Sequence, residues 1–134
     1  MNDHRARPPF DPELEPALVE LEAELPVMTA DVIPELRAGF LATEVDAALD
    51  ERSVTRRDLS IPGHDGDDIS VTVLSKADRA GGRPGIYHLH AGGGVAGDRF
   101  VGVEVLADWV QSYDVVVVTV EYRLAPEFPD PYPA

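Results

Sequence analysis

The spacing of hydrophobic residues changes after the first third of the chain, and this change separates a helical part from a mixed one. Between residues 12 and 25, leucines recur at intervals of three and four, which predicts an amphipathic helix. Thr29 or Asp31 can cap a second helix that runs to Phe40. We therefore expect residues 1–50 to form a loose tail followed by helices.

The remainder of the chain predicts strands on both sides of a glycine-rich loop. Residues 54–61 and 69–74 predict a hairpin, because the segment between them is rich in turn-forming residues. A strand at 85–90, a helix at 99–112 and a strand at 114–122 follow. The last strand contains the continuous apolar run VVVV, typical of a strand buried on both faces. A strand–helix–strand unit in this order predicts an α/β fold with a right-handed crossover.

The helix of this unit has one predicted apolar face, formed by Gly102, Val105, Leu106, Trp109 and Val110. Residues three and four apart are neighbours on a helix surface, so these five share one side. We therefore expect Trp109 to pack in the core.

The composition excludes several classes of function. The chain has 134 residues, enough for one domain, and its 25 acidic and 11 basic residues give a net charge of −14. This charge disfavours nucleic acids and anionic membranes as partners. Cysteine is absent, which excludes disulfides, zinc–thiolate sites and a cysteine nucleophile. No apolar run suits a membrane span or a signal peptide, so we expect a cytoplasmic protein.

The loop YHLHAGGGVAGDRF, residues 87–100, contains four glycines, and ordering them costs backbone entropy. One interpretation is a dinucleotide-binding module, because Gly92, Gly94 and Gly97 fit the pattern G-x-G-x-x-G between a strand and a helix. Glu121 follows at the end of the next strand, where such modules carry a ribose-binding acid.

The other interpretation is an oxyanion hole. Ester hydrolysis passes through a tetrahedral intermediate with a negatively charged oxygen, and backbone N–H groups aimed at that oxygen stabilise it. A run of glycines can turn successive N–H groups toward one cavity, because no Cβ blocks the approach.

Two motifs carry a resemblance to a known family. The first consists of Tyr87, His90, Gly92, Gly93 and Gly97. The second is YRLAPE, residues 122–127, followed by Tyr132-Pro133-Ala134. In this order and spacing they resemble the N-terminal portion of hormone-sensitive-lipase-type carboxylesterases. The resemblance implies a partial α/β-hydrolase fold, in which N-terminal cap helices precede an antiparallel hairpin and a parallel strand–helix–strand unit.

The resemblance also implies roles for individual residues. The N–H groups of Gly92 and Gly93 would face the oxyanion of a small ester substrate, and no cofactor is implied. The residues that would support this loop are His90, Ala91, Gly94 and Gly97. Tyr122, Arg123, Pro126 and Glu127 would form a structural motif. In it, Arg123 and Glu127 would brace the turn after the last strand, and a simple surface or partly buried ion pair is the alternative.

The sequence departs from the family pattern in the loop. Ala91 replaces the first glycine, which costs about 1–2 kcal/mol if this position requires a positive φ and nothing otherwise. Gly94 stands where a bulky residue is common, so we expect a looser loop.

The catalytic machinery of a serine hydrolase is missing from the sequence. No Gly-x-Ser-x-Gly occurs, and this fold places its nucleophile on that motif. We therefore expect no catalytic residue in this chain, with the domain of residues 51–134 truncated before the nucleophile. Such a chain would be inactive alone. A non-catalytic role, in binding a small ligand or in assembly, is the alternative.

Truncation predicts an interaction surface. Residues 85–90 would form a sheet edge with unpaired N–H and C=O groups, so we expect self-association or a C-terminal half on another chain. No metal site is expected. His88 and His90 lack a third ligand, and the turn with His64, Asp65 and its neighbouring acids reads as a solvated loop.

Overall fold

The structure, a computed structural model, describes four stretches of the chain: residues 9–24, 29–64, 66–77 and 81–127. The contacts of the chain divide it into two compact units, Met1–Val32 and Ile33–Ala134. The domain boundary expected after Asp50 stays a prediction.

The first unit contains helix α1, Glu15–Glu24, and a 3₁₀ turn, Ala30–Val32. The leucine spacing therefore predicted the helix correctly. Leu14 and Leu21 are at least half exposed. The last leucine of the predicted stripe, Leu25, lies outside the described residues.

The second unit is a mixed α/β structure. Its elements in chain order are helix α2 (Ile33–Phe40), helix α3 (Val45–Glu51), strand β1 (Val54–Pro62), strand β2 (Asp68–Lys76), strand β3 (Gly85–His88), helix α4 (Val103–Tyr113) and strand β4 (Val116–Val120). The described strands form one open sheet in the order β1-β2-β4-β3. Within the four described stretches, no helix has the length and hydropathy that crossing a bilayer requires.

The sheet combines both strand directions. β1 and β2 form the predicted antiparallel hairpin, in register from Val54 opposite Lys76 to Pro62 opposite Asp68. β4 pairs antiparallel with β2 and parallel with β3. β3, α4 and β4 thus form the predicted strand–helix–strand unit. The predicted burial of β4 on both faces is confirmed only in part: Val117 and Thr119 on one face are fully buried, whereas Val116 and Val118 on the other are half-buried.

The core lies between the sheet and two helices. It consists of Ala48, Leu49, Val54, Leu74, Val103, Leu106, Ala107, Val110, Val115 and Val117. Helix α3, which the sequence did not predict, contributes the first two of these. Its seven residues are too few to show a clear helical period, so the packing of Ala48 and Leu49 against α4 determines this element.

The predicted apolar face of α4 is wrong in part. The buried face consists of Val103, Leu106, Ala107 and Val110. Trp109 is 39% exposed and does not belong to the buried core, because α4 turns the face centred on Leu106 and Val110 toward the sheet. The pattern contained two overlapping apolar stripes, and the sheet covers the one that includes Val103.

Strand β3 lies at the edge of the sheet that the described residues form. Tyr87 and Leu89 are 65% and 61% exposed there. The expected sheet edge is therefore present, although the strand ends at His88 rather than at His90.

Candidate functional site

The glycine loop begins directly after β3 and adopts a backbone that favours glycine. Gly92, Gly93, Gly94 and Gly97 have φ of 132°, 64°, 75° and 91°. Ala91 does not have a positive φ, so alanine causes no left-handed strain at the position where the family carries glycine.

Two of these glycines are required by space as well. A Cβ on Gly92 would overlap the carbonyl oxygen of Ala96. A Cβ on Gly97 would collide with the Ala91 carbonyl oxygen and with Nδ1 of His90. A Cβ on Gly93 or Gly94 meets no atom within 4 Å. The loop is therefore tight at its ends and open at its centre.

Two carbonyl groups of the glycine run accept hydrogen bonds from backbone N–H groups. The Gly92 carbonyl accepts from the N–H groups of Val95 and Ala96, at 3.1 and 3.0 Å. The Gly94 carbonyl accepts from the Ala125 N–H at 2.9 Å. These bonds close a turn and attach it to the chain that follows β4.

His90 supports the start of the loop. Its side chain is buried, with 4% of the residue exposed, and its ring stacks on Tyr122 with centroids 4.0 Å apart. Nδ1 lies 2.9 Å from the Ala91 carbonyl oxygen, and since a carbonyl only accepts, Nδ1 carries the proton. The Tyr122 hydroxyl donates to the His90 carbonyl at 2.7 Å. Nε2 is buried and has no hydrogen-bond partner in the described part of the chain.

Arg37, on helix α2, contacts the far end of the loop. Its Nε donates to the Val95 carbonyl at 2.8 Å, and Nη2 donates to the Ala125 carbonyl at 3.0 Å. Both terminal nitrogens bind the Glu127 carboxylate at 2.7 Å. This bidentate pair lowers the pKa of Glu127 from 4.5 to about 2. The sequence did not point to Arg37, although it is the only Lys or Arg between residues 8 and 50.

The N–H groups of Gly92 and Gly93 differ from the carbonyls. Among hydrogen bonds between described residues, neither N–H acts as a donor. In a trans peptide the C=O and the next N–H point in opposite directions. Ala91 C=O is bound to His90 and Gly92 C=O lies inside the turn, so the N–H groups of Gly92 and Gly93 point away from those partners. Among the described residues, the N–H groups of Gly92 and Gly93 therefore have no acceptor, and the same holds for the Gly94 N–H.

A polar network holds the segment that leads into α4. The Arg99 guanidinium and backbone N–H both donate to Glu121 Oε2, at 3.0 and 3.1 Å. Arg99 Nε also donates to the buried Thr72 hydroxyl. Glu121 is thus bound to protein at the position where the dinucleotide interpretation needs a free acid.

The histidines and acids considered for metal binding have other contacts. His88 Nδ1 lies 3.1 Å from the Thr119 hydroxyl, which donates its own proton to the Arg99 carbonyl, so Nδ1 is the donor. Burial, followed by the charge of His90, lowers the pKa of His88. In the described ranges no three His, Asp or Glu side chains cluster as a metal site would need. Asp65 lies outside the described residues.

In the second motif, Arg123 and Glu127 each bind a residue outside the motif. Arg123 binds Asp67 at 2.9 Å, whereas Glu127 binds Arg37. Both residues attach the turn at Ala125-Pro126 to other elements, which supports the bracing role implied by the resemblance. Tyr132-Pro133-Ala134 lies outside the described residues.

Replacing the loop glycines with alanine should show at which positions neighbouring atoms leave no room for a Cβ. Gly92→Ala should unfold the loop and lower the midpoint of urea unfolding, because the new Cβ overlaps Ala96. Gly93→Ala should cost about 1–2 kcal/mol, from left-handed strain alone. Gly85→Ala, at an open position without positive φ, is the control. Equal losses for Gly92→Ala and Gly85→Ala would contradict the close packing.

The Glu127 carboxylate should make the free energy of unfolding depend on pH in the acidic range. Its pKa is lowered on folding, so its contribution is complete above the ordinary value of 4.5 and is lost as the pH falls toward 2. Urea unfolding should therefore show wild type more stable than Glu127→Gln at neutral pH, with the difference disappearing across this window. A difference that does not change with pH would refute the ion pair with Arg37.

Comparison with known proteins places the fold. Residues 86–134 match the model of a family with the α/β-hydrolase fold. A bacterial heroin esterase superimposes with a TM-score of 0.61 at 31% identity, over 90% of this chain and 38% of that one. A hyperthermophilic esterase from the archaeon Pyrobaculum calidifontis gives 0.57 at 29% identity, over 89% and 38%. No curated protein sequence matches the chain.

A thermostable carboxylesterase cloned from a metagenomic library matches 71% of this chain and 32% of its own, with a TM-score of 0.54 at 32% identity. The chain thus spans less than two fifths of the length of these enzymes. Its open mixed sheet and these similarities show a partial α/β-hydrolase fold, similar to that of hormone-sensitive-lipase-type esterases.

Proposed function

We propose that this chain carries the oxyanion-binding loop of a carboxylic-ester hydrolase. The N–H groups of Gly92 and Gly93 bind the oxygen on which negative charge develops. The observation that supports this most directly concerns two peptides of the loop: the carbonyls of Ala91 and Gly92 are bound, and the N–H groups on the same peptides, those of Gly92 and Gly93, make no bond to the described residues.

The chemistry follows from this arrangement. An ester carbonyl becomes an anionic oxygen when a nucleophile attacks, and a preformed donor stabilises that charge without reorganising. One such donor is worth about 3–4 kcal/mol in comparable enzymes. The tight packing of Gly92 and Gly97 keeps the loop in shape before substrate arrives, so the donors are preorganised.

The substrate is a small ester, and the chain alone does not hydrolyse it. A serine hydrolase needs a nucleophile, a base and an acid that orients the base. The sequence contains no Gly-x-Ser-x-Gly, so these 134 residues supply neither that nucleophile nor the oxyanion donor that follows it. A non-catalytic role in ligand binding or assembly is the alternative, and the same absence supports it.

A dinucleotide module is less compatible with the geometry. Gly97 packs against His90 six residues before α4, rather than opening the helix. Glu121 is bound to Arg99. The two features that such a module uses for pyrophosphate and ribose are therefore engaged elsewhere.

The remaining polypeptide would pair with β3. The exposed side chains of Tyr87 and Leu89 and the free edge of this strand offer hydrogen bonds and apolar area to another strand. The strand that pairs there belongs either to a second copy of this chain or to polypeptide that carries the C-terminal half of the fold.

Anion binding tests the proposed loop. Titration of the isotope-labelled chain with acetate should shift the amide resonances of Gly92 and Gly93 in a saturable manner, and Gly92→Ala should abolish both shifts. The chain alone should not turn over p-nitrophenyl acetate. Turnover that a single substitution in this chain abolishes would refute the claim of inactivity. Saturable NADH binding at the same amides would favour the dinucleotide module.

Sedimentation tests the β3 edge. The chain should form dimers or larger species, and Leu89→Lys should shift the population toward monomer, because a charge at an edge disfavours pairing. Val105→Lys, at another exposed apolar residue on α4, is the control. A stable monomer at every concentration would contradict self-association. Pairing of β3 with the C-terminal half of the fold would then be tested by co-expressing the two.

A further inference from the structure

Arg37 makes more contacts with the glycine loop region than an ion pair requires. Its guanidinium donates in three directions: to the Val95 carbonyl, to the Ala125 carbonyl and to both oxygens of Glu127. The bonds to the two carbonyls are partly buried, whereas the bonds to Glu127 are exposed to solvent. A planar guanidinium can satisfy three acceptors at fixed angles, which a lysine ammonium cannot reproduce.

The bond to Val95 acts on the neighbouring N–H. The Val95 carbonyl belongs to the same rigid peptide plane as the Ala96 N–H, and that N–H donates to the Gly92 carbonyl. By holding one end of this plane, Arg37 orients the donor at its other end.

The bond to Ala125 acts on a second plane less directly, because the Ala125 carbonyl and the Ala125 N–H lie on the two peptide planes that flank its Cα. The Ala125 N–H binds the Gly94 carbonyl, which shares its peptide plane with the Val95 N–H. That N–H is the other donor to the Gly92 carbonyl. Both hydrogen bonds that fix the Gly92 carbonyl therefore come from planes whose far ends are held by Arg37, one directly and one through Ala125.

The Gly92 carbonyl in turn determines the direction of the Gly93 N–H, since they lie on one trans peptide. We propose that Arg37 is a positioning residue, which orients the Gly93 N–H toward an anionic oxygen through the peptide planes 95–96, 94–95 and 92–93. The inference rests on the proposed oxyanion function. It adds that the conformation of the anion-binding loop depends on α2, the helix expected to belong to a cap.

The test uses three variants of the chain. Arg37→Lys keeps the charge but loses the three-way geometry. The exchange Arg37→Glu with Glu127→Arg restores an ion pair but provides no donor on α2 for Val95 and Ala125. Arg52→Lys changes an arginine that binds Asp108 and Ala48 without touching the loop, and serves as the control.

Two measurements separate this inference from the proposed function. Amide hydrogen exchange reports whether the N–H groups of Val95, Ala96 and Ala125 stay bonded. Acetate titration reports whether the Gly93 N–H still binds an anion. Arg37→Lys and the exchanged pair should each speed exchange at Ala96 and weaken acetate binding, both by about tenfold. In both variants, the amides of the β1–β2 hairpin should exchange at the wild-type rate. Arg52→Lys should change neither amide exchange nor acetate binding.

Each result decides one question. Unchanged exchange and unchanged acetate affinity in Arg37→Lys would overturn the positioning role, as would recovery of acetate affinity in the exchanged pair. If wild type shows no acetate shift at Gly93, the oxyanion function fails. The exchange data still decide whether Arg37 orders the loop.

Discussion

The site depends on one constraint: the two polar ends of a trans peptide point in opposite directions. A loop that must offer N–H groups to a ligand can therefore be built only by giving the matching carbonyls partners elsewhere. Here His90 takes the Ala91 carbonyl, and Val95 and Ala96 take the Gly92 carbonyl. The direction of the free donors follows from bonds on the opposite side of the backbone, where no ligand needs to be present.

The sheet supplies the frame for this arrangement. β3 and β4 run parallel, so their carboxyl ends lie at the same edge of the sheet. This brings His90, just after β3, against Tyr122, just after β4, and lets the Tyr122 hydroxyl bind the His90 carbonyl. Gly97 ends the first sequence motif 25 positions before Tyr122 begins the second, yet the two motifs are in contact through His90 and Tyr122. The hydrophobic core below them keeps both strand ends in register.

Local patterns predicted the elements that have a clear local sequence signal, such as the β1–β2 hairpin with its turn-rich connection and the apolar run of β4. They did not predict what tertiary contacts decide. α3 is too short for a helical period, and the choice between two stripes of α4 depended on which one met the sheet, so Trp109 was misplaced. The glycine motif indicated the loop and its donors. Arg37 contacts it across 58 residues, a separation that no local spacing records.

A net charge of −14 fits an oxyanion site better than it first suggests. The field of the whole chain repels free anions, but it acts little on a neutral ester and is screened beyond about 8 Å at physiological salt. The charge of Arg37 is balanced by Glu127, so it adds little attraction of its own. What remains at the loop is the short-range dipole of two N–H groups. The proposed site therefore acts on charge within contact distance of the loop, whether on the oxygen of a reacting ester or on bound acetate, rather than by long-range attraction.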